Sequence, residues 1–311
     1  MAALICGSLA YDSIMVFEDQ FKNHILPEKV HMISVSFLVP QMRRDFGGCA
    51  GNIAYNLKLL GGEPVPMAAV GQDFGAYRDH LDAMGINRQH VMQVDEYFTA
   101  QAFITTDLDD NQITAFHPGA MAVSHRNRVT DADGIKIGIV APDGRDAMIQ
   151  HATDFAEAGI PFFFDPGQAM PLFDGEDLQN FVRQASWVTV NDYEAELVKE
   201  RTGWSDAEIA EQVEAYIVTK GAEGSDIHVD GQTLHIPAAK PSNIANPTGC
   251  GDAYRAGLLY GLERGLDWES TGRIASLMGA IKIENESPQG HHFIMDDFRQ
   301  RYQEAFGVAM P

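Results

Sequence analysis

Short, continuously apolar runs alternate with stretches of helical periodicity along most of this chain, and that rhythm restricts the fold more than any other feature. Ala3–Ser8, Val65–Val70, Gly134–Ala141, Pro161–Asp165, Trp187–Asn191 and Tyr216–Lys220 have strand length and few polar positions. Between or after them, Gly51–Leu60, Gly75–Met84, Arg145–Ala158, Asp177–Gln184, Tyr193–Thr202 and Asp206–Val213 read as helices. A strand that is apolar on both faces needs cover on both faces. The pattern therefore predicts an α/β fold, a three-layer αβα sandwich with a mostly parallel central sheet. The last third adds a hairpin around Asp230-Gly231, then helices from Thr248 onward, over Thr271–Glu284 and over Met295–Phe306.

Two segments break the rhythm. Ile33–Val39 alternates apolar and polar residues, and Phe98–His117 reads as a hairpin turning at Asp109-Asp110-Asn111. Alternation implies one packed and one exposed face. These segments predict a small β-sheet lid formed by insertions at about 13–45 and 97–118 within one domain spanning 1–311, although edge strands of the main sheet would give the same pattern.

The chain has 311 residues, with 22 basic against 44 acidic side chains, a formal charge of −22. Such a surface repels nucleic-acid phosphates and anionic lipid, so neither is an expected partner. Cys6, Cys49 and Cys250 are too scattered for a metal site or a disulfide framework, which fits a reducing cytoplasm. The N-terminal run lacks a basic flank and a cleavage-like segment and reads as a strand, and no stretch is long and apolar enough for a membrane span.

Five segments carry possible chemistry. In Asn246-Pro247-Thr248-Gly249-Cys250-Gly251-Asp252, the proline sets a helix start, Thr248 is a suitable cap, and Gly249 and Gly251 leave main-chain N–H groups uncovered. Free N–H groups at a helix start attract anions. Asp252 opposes a bound phosphate by charge. Its place there makes sense either as the base at a hydroxyl attacking a phosphoryl group or as an acid stabilising the first helical turn. Gly47-Gly48-Cys49-Ala50-Gly51-Asn52 is a second Gly-rich loop entering a helix, and Asn52 suits vicinal hydroxyls or a structural turn. Asn191 and Glu194 share one face of a first helical turn, fit for a hydrated Mg²⁺ or for simple capping. Thr219-Lys220-Gly221-Ala222-Glu223-Gly224 is a Gly-rich turn with a cation, and it is not a Walker A loop. Asp12 lies past the first strand, where ligands bind in open parallel sheets, or it is a solvent-facing carboxylate.

Together these segments resemble the ribokinase-like family of carbohydrate and nucleoside kinases. Gly47-Gly48-x-x-x-Asn52 is similar to that family's sugar-site motif, Pro247-Thr248-Gly249-Cys250-Gly251-Asp252-Ala253 to its anion hole and catalytic motif, and Asn191-x-x-Glu194 to its Mg²⁺ and phosphate element. Leu26-Pro27-Glu28, Val35–Val39, Phe116–Met121, Thr202–Ser205 and Gly251–Gly257 look most like bacterial adenosine kinases. The resemblance implies ATP and Mg²⁺ as cofactors and adenosine or a related nucleoside as substrate. It also implies Asp252 as base, with Gly249, Cys250 and Gly251 as anion hole. Ser8, Asp12, Ser36, Gly48, Asn52 and Gln168 would hold the nucleoside, and Phe103 and Phe116 would sandwich its base. Asn191, Thr219, Lys220, Gly221, Gly224 and Gln289 would line the ATP side, with Glu194 at the metal. Free-sugar kinases, inosine or guanosine kinases and a non-catalytic relative are the alternatives. A lid carrying two aromatics favours a base, since stacking contributes about 1–3 kcal/mol. Asn246 departs from the Asp of many members, whose loop helps build a potassium site. Cys250 stands where Ala is usual, which would expose the anion hole to thiol chemistry. An exposed lid edge suggests a homodimer.

Overall fold

The computed structural model describes residues 2–25, 34–109 and 111–311. Among them, nine strands form one sheet in the order β13-β12-β11-β10-β9-β8-β1-β4-β5. They are β1 (Ala2–Cys6), β4 (Glu63–Val70), β5 (His90–Gln93), β8 (Ile135–Val140), β9 (Phe162–Phe164), β10 (Trp187–Asn191), β11 (Ala215–Thr219), β12 (Ser225–Val229) and β13 (Gln232–Ile236). The first seven run parallel, and the Asp230-Gly231 hairpin adds β12 and β13 antiparallel at one edge.

Successive strand residues point to opposite faces, and both faces here are buried. Ala3 and Ile5 pack with α1 (Cys49–Leu59), α2 (Gly75–Ala83), α7 (Cys250–Glu263), α8 (Trp268–Ile283) and α9 (Met295–Phe306). Leu4 and Cys6 pack with α3 (Arg145–Ala158), α4 (Gly175–Gln184), α5 (Asp192–Thr202) and α6 (Asp206–Ala210). The Phe162-Phe163-Phe164 run splits the same way, its outer two rings going to one core and Phe163 to the other. Continuous apolarity thus marks two cores, one on each side of a single sheet.

A second sheet has the order β3-β2-β6-β7, from β2 (Ala10–Val16), β3 (Gln41–Gly47), β6 (Ala100–Thr106) and β7 (Gln112–His117). The lid is therefore present and separate, but its first half differs from expectation. The alternation at Ile33–Val39 does not form a strand over residues 34–39, and Ile33 falls outside the described residues, as do Leu26-Pro27-Glu28 and Asp110. The pairing strand is instead Gln41-Met42-Arg43-Arg44-Asp45-Phe46-Gly47, whose polarity hid it. Asp12 lies within β2 and not in a loop.

Four chain crossings join the two sheets, and they meet in pairs. Ser8, between β1 and β2, accepts Ala50 N–H at its carbonyl (3.0 Å) and Cys49 N–H at its Oγ (3.2 Å), just past Gly48. The Phe98 carbonyl, between β5 and β6, accepts the Ala120 N–H (2.9 Å) just past β7.

Candidate active site

The two glycine motifs converge at the carboxyl ends of the parallel strands, the usual ligand end of an open α/β sheet. Gly48 has φ of +84°, and a side chain there would lie 2.5 Å from the Ser8 carbonyl oxygen. Only glycine admits this conformation and this closeness. The turn points Asn52, in the first turn of α1, across to α7. Asn52 Nδ2 donates to Asp252 Oδ2 at 2.8 Å, although 200 residues separate them.

Gly249, with φ of +85°, is the cap residue of α7, and no side chain caps that helix start. Thr248 does not serve as the cap. Its N–H is turned back onto the Asn246 Oδ1 (2.8 Å). The Cys250 N–H is donated to the Pro247 carbonyl (3.1 Å), against the expectation that it lines the anion hole, and the Gly249 and Gly251 N–H groups and the dipole of α7 are left for an anion. Asp252 sits in that turn, partly buried. Loss of solvation pushes its carboxyl up to about 6, with the Asn52 hydrogen bond pulling the other way. Cys250 is pushed up to about 11 by burial, so its thiol stays protonated at neutral pH. Burial thus opposes the thiolate through which thiol chemistry at this position would run.

Beneath the site lies a pair the motifs did not announce. Arg255 Nε and Nη2 donate to Asp165 Oδ2 (2.9 Å) and Oδ1 (3.0 Å), and both residues are buried. Breaking one half of such a pair costs about 3–5 kcal/mol. Arg255 and Asp165 also bear on Asp252 and Glu194, the arginine favouring and the aspartate opposing their ionisation. Glu194 and Asn191 form a reciprocal capping box at the start of α5: Asn191 N–H donates to Glu194 Oε2 (2.8 Å) and Glu194 N–H to Asn191 Oδ1 (2.7 Å). The box leaves Glu194 Oε1 available. Among the described residues no three His, Cys, Asp or Glu side chains cluster as a metal cage.

Several expected residues sit elsewhere than anticipated. Gln289 is buried under Asn52: its Nε2 donates to Asn52 Oδ1 (3.0 Å) and the Tyr77 hydroxyl (2.7 Å), and its Oε1 meets His80 Nε2 (2.9 Å). It braces the sugar-side motif from behind, with its amide committed to Asn52 and Tyr77. Lys220 is ion-paired with Asp226, so its cation is already committed. Thr219 Oγ1 donates to the Val190 carbonyl (3.3 Å), and Gly221 and Gly224 take positive φ in the turn after β11. Ser8 is buried in the chain crossing, Gln168 is exposed after β9, and Ser36 is exposed with no described partner.

The lid register corrects the expected sandwich. Phe103 pairs with Ala115 and Phe116 with Ala102, so the two rings stand on opposite faces of the sheet. Asp12 is in register with Ala102 and Asp45, which places it on the Phe116 face. Its carboxyl is pushed up to about 6 by burial, reinforced by Asp45, and it lies against Gly47. The sugar motif, Asp12 and Phe116 thus share one side, while Phe103, still 42% exposed, looks away from it. Asp165, Arg255, Tyr77, His80 and Gln289's true position escaped the sequence reading. Only the Arg within the Asp252 helix offered a local signal.

A model described as "pfkB family carbohydrate kinase" matches residues 12–292. A nucleoside kinase of Methanocaldococcus jannaschii is 31% identical over 265 residues, covering 84% of this chain and 87% of its own. The Burkholderia thailandensis nucleoside kinase in complex with inosine superposes with a TM-score of 0.90 at 51% identity, with 99% of each chain covered. The same protein in complex with ADP-inosine gives 0.88 at 53%, covering 99% of this chain and 97% of that one. With the sandwich, the separate lid and the paired glycine motifs, these matches mean that the chain belongs to the pfkB family of carbohydrate kinases and is a phosphotransferase acting on a hydroxyl group.

Proposed function

We propose that this enzyme transfers the γ-phosphoryl group of ATP to the 5′-hydroxyl of a purine nucleoside, adenosine or inosine. The observation that carries the reading is the Asn52 Nδ2–Asp252 Oδ2 hydrogen bond, which joins a hydroxyl-binding amide to a carboxylate at an anion-binding helix start. Asp252 is the base. As the bond from the 5′-oxygen to phosphorus forms and the bond to the β-phosphate oxygen breaks, the hydroxyl proton passes to the carboxylate and ADP leaves. In a loose phosphoryl-transfer transition state this proton moves late, so orientation matters more than basicity. Asn52 holds Oδ2 of the carboxylate, and the Cys49 thiol also hydrogen-bonds it, so both groups orient Asp252 toward the hydroxyl. Gly249 and Gly251 supply main-chain N–H groups to the transferring group, whereas the Cys250 N–H is donated to the Pro247 carbonyl (3.1 Å).

Asp12, Gly48 and Asn52 would bind the ribose, and Phe116 would cover the base from the lid. Glu194 would hold Mg²⁺ through water, and that ion would offset phosphate charge when bound. The −22 charge of the chain makes such local compensation necessary. Three unbridged cysteines support a reducing, cytoplasmic setting, and among the described residues no helix is long and apolar enough to cross a membrane. The open lid edges support a homodimer.

Adenosine follows from the sequence resemblance, and inosine from the complex of the 51%-identical Burkholderia enzyme. ADP release measured side by side with adenosine, inosine, guanosine, ribose and fructose tests the reading. Adenosine or inosine should give the highest kcat/KM. Faster turnover of ribose or fructose would overturn it in favour of a free-sugar kinase.

A further inference from the structure

Lys282, in the last turn of α8, is fully buried, with 0% exposure. Its Nζ donates to two main-chain carbonyls, those of Asn246 (2.8 Å) and Asn285 (2.9 Å). Among the described residues no carboxylate lies within ion-pair distance of it. The charged or titratable groups that bear on it are Cys250, Glu286, Arg43 and Asp45, and burial holds its ammonium below the usual lysine range. A buried cation without a carboxylate is costly, and packing alone would be met by methionine.

The two carbonyls explain what the charge does. Asn246 opens the loop that runs into Gly249 and the start of α7, and its backbone N–H and that of Ala245 both donate to Ile283 O. Asn285 lies three residues before Pro288, whose Cβ would stand 3.2 Å from a side-chain carbon placed on Gly249. The ammonium therefore ties together the two main-chain segments that shape the anion-binding turn. Main-chain carbonyls converging on one cation are also how proteins hold monovalent metal ions. A potassium ion of the kind that relatives hold beside this loop does not fit on these oxygens, because Nζ already occupies them.

We infer that Lys282 is a tethered cation that positions the Asn246–Asp252 turn, so that turnover needs no monovalent metal ion. The inference rests on reading Gly249–Asp252 as the phosphoryl end of the site. The test compares kcat and both KM values of the wild type, Lys282→Ala and Asp252→Asn in tetramethylammonium, potassium and ammonium chloride at one ionic strength, with melting temperatures alongside. Wild-type kcat should vary less than about twofold across the salts. Lys282→Ala should lose at least about tenfold in kcat, hold its nucleoside KM within about threefold, and regain part of kcat in ammonium or potassium. A wild type that loses about tenfold in tetramethylammonium overturns the inference. So does a folded Lys282→Ala with normal kcat, or one whose loss no small cation repairs. If that variant does not fold, the wild-type salt comparison decides alone. Full activity in Asp252→Asn would instead remove the reading beneath it.

Discussion

Asp252 combines two demands that oppose each other: an anion must be welcome beside it, and it must itself be ionised to take a proton. Burial raises its carboxyl to about 6, so the ionised form dominates at neutral pH and is lost as pH falls through that value. kcat/KM should therefore show an acid limb with an apparent pKa near 6. Asp252→Asn should lower kcat by at least about 10²-fold with little change in nucleoside affinity by calorimetry. An Asn variant with near-normal kcat would leave Asp252 as a helix-start acid only. The residues that sequence exposed are those whose chemistry is written locally: Gly48, Asn52, Gly249 and Asp252 sit in short motifs whose spacing is itself the signal. Tyr77, His80, Asp165, the contacts of Gln289 and the link from Lys282 to Asn246 were not legible, because these partners lie far away in sequence. Gln289 meets Asn52 across 237 positions and Asp165 meets Arg255 across 90.

At the scale of elements, the main sheet was almost fully readable. Its strands are buried on both faces and announce themselves as apolar runs; β10 and α3 fall on their predicted bounds. The missed β5 is short and only half-buried. The lid was half readable. β6 and β7 alternate and turn locally, with the Asp107 carboxylate accepting the N–H of Asp109 (2.9 Å) and of Asn111 (2.9 Å). β2 and β3 owe their structure to pairing with each other across the residues between them, and β3 carries two arginines on a strand with a single buried residue. Register also separates the roles of the lid aromatics. Phe116→Ala should raise the nucleoside KM by about tenfold or more, in line with the loss of one stacked ring. Phe103→Ala should change it less, since it stands on the other face. Equal effects would mean that the Asp12 face is not the nucleoside side.

For the whole molecule, the lid leaves both β3 and β7 as open edges, with Met42, Ile113 and Phe116 at least 44% exposed. Unpaired edges with apolar side chains invite pairing with another copy. Sedimentation equilibrium should return twice the 34.1 kDa chain mass, and a single-chain mass would exclude the dimer.

The paired crossings between the sheets set how the lid can travel. A plate fixed by four independent threads could tilt in any direction. Here the threads are pinned two by two, at Ser8 against the Gly48 turn and at Phe98 against Gly119. Two pins define an axle, so a rotation of the small sheet would run about the line between them, like a door on a pair of hinges. A side chain at Gly119 would come within 2.1 Å of the Phe98 oxygen and one at Gly48 within 2.5 Å of the Ser8 oxygen. Either would jam one hinge, and the one at Gly48 would also push on the ribose-side turn itself.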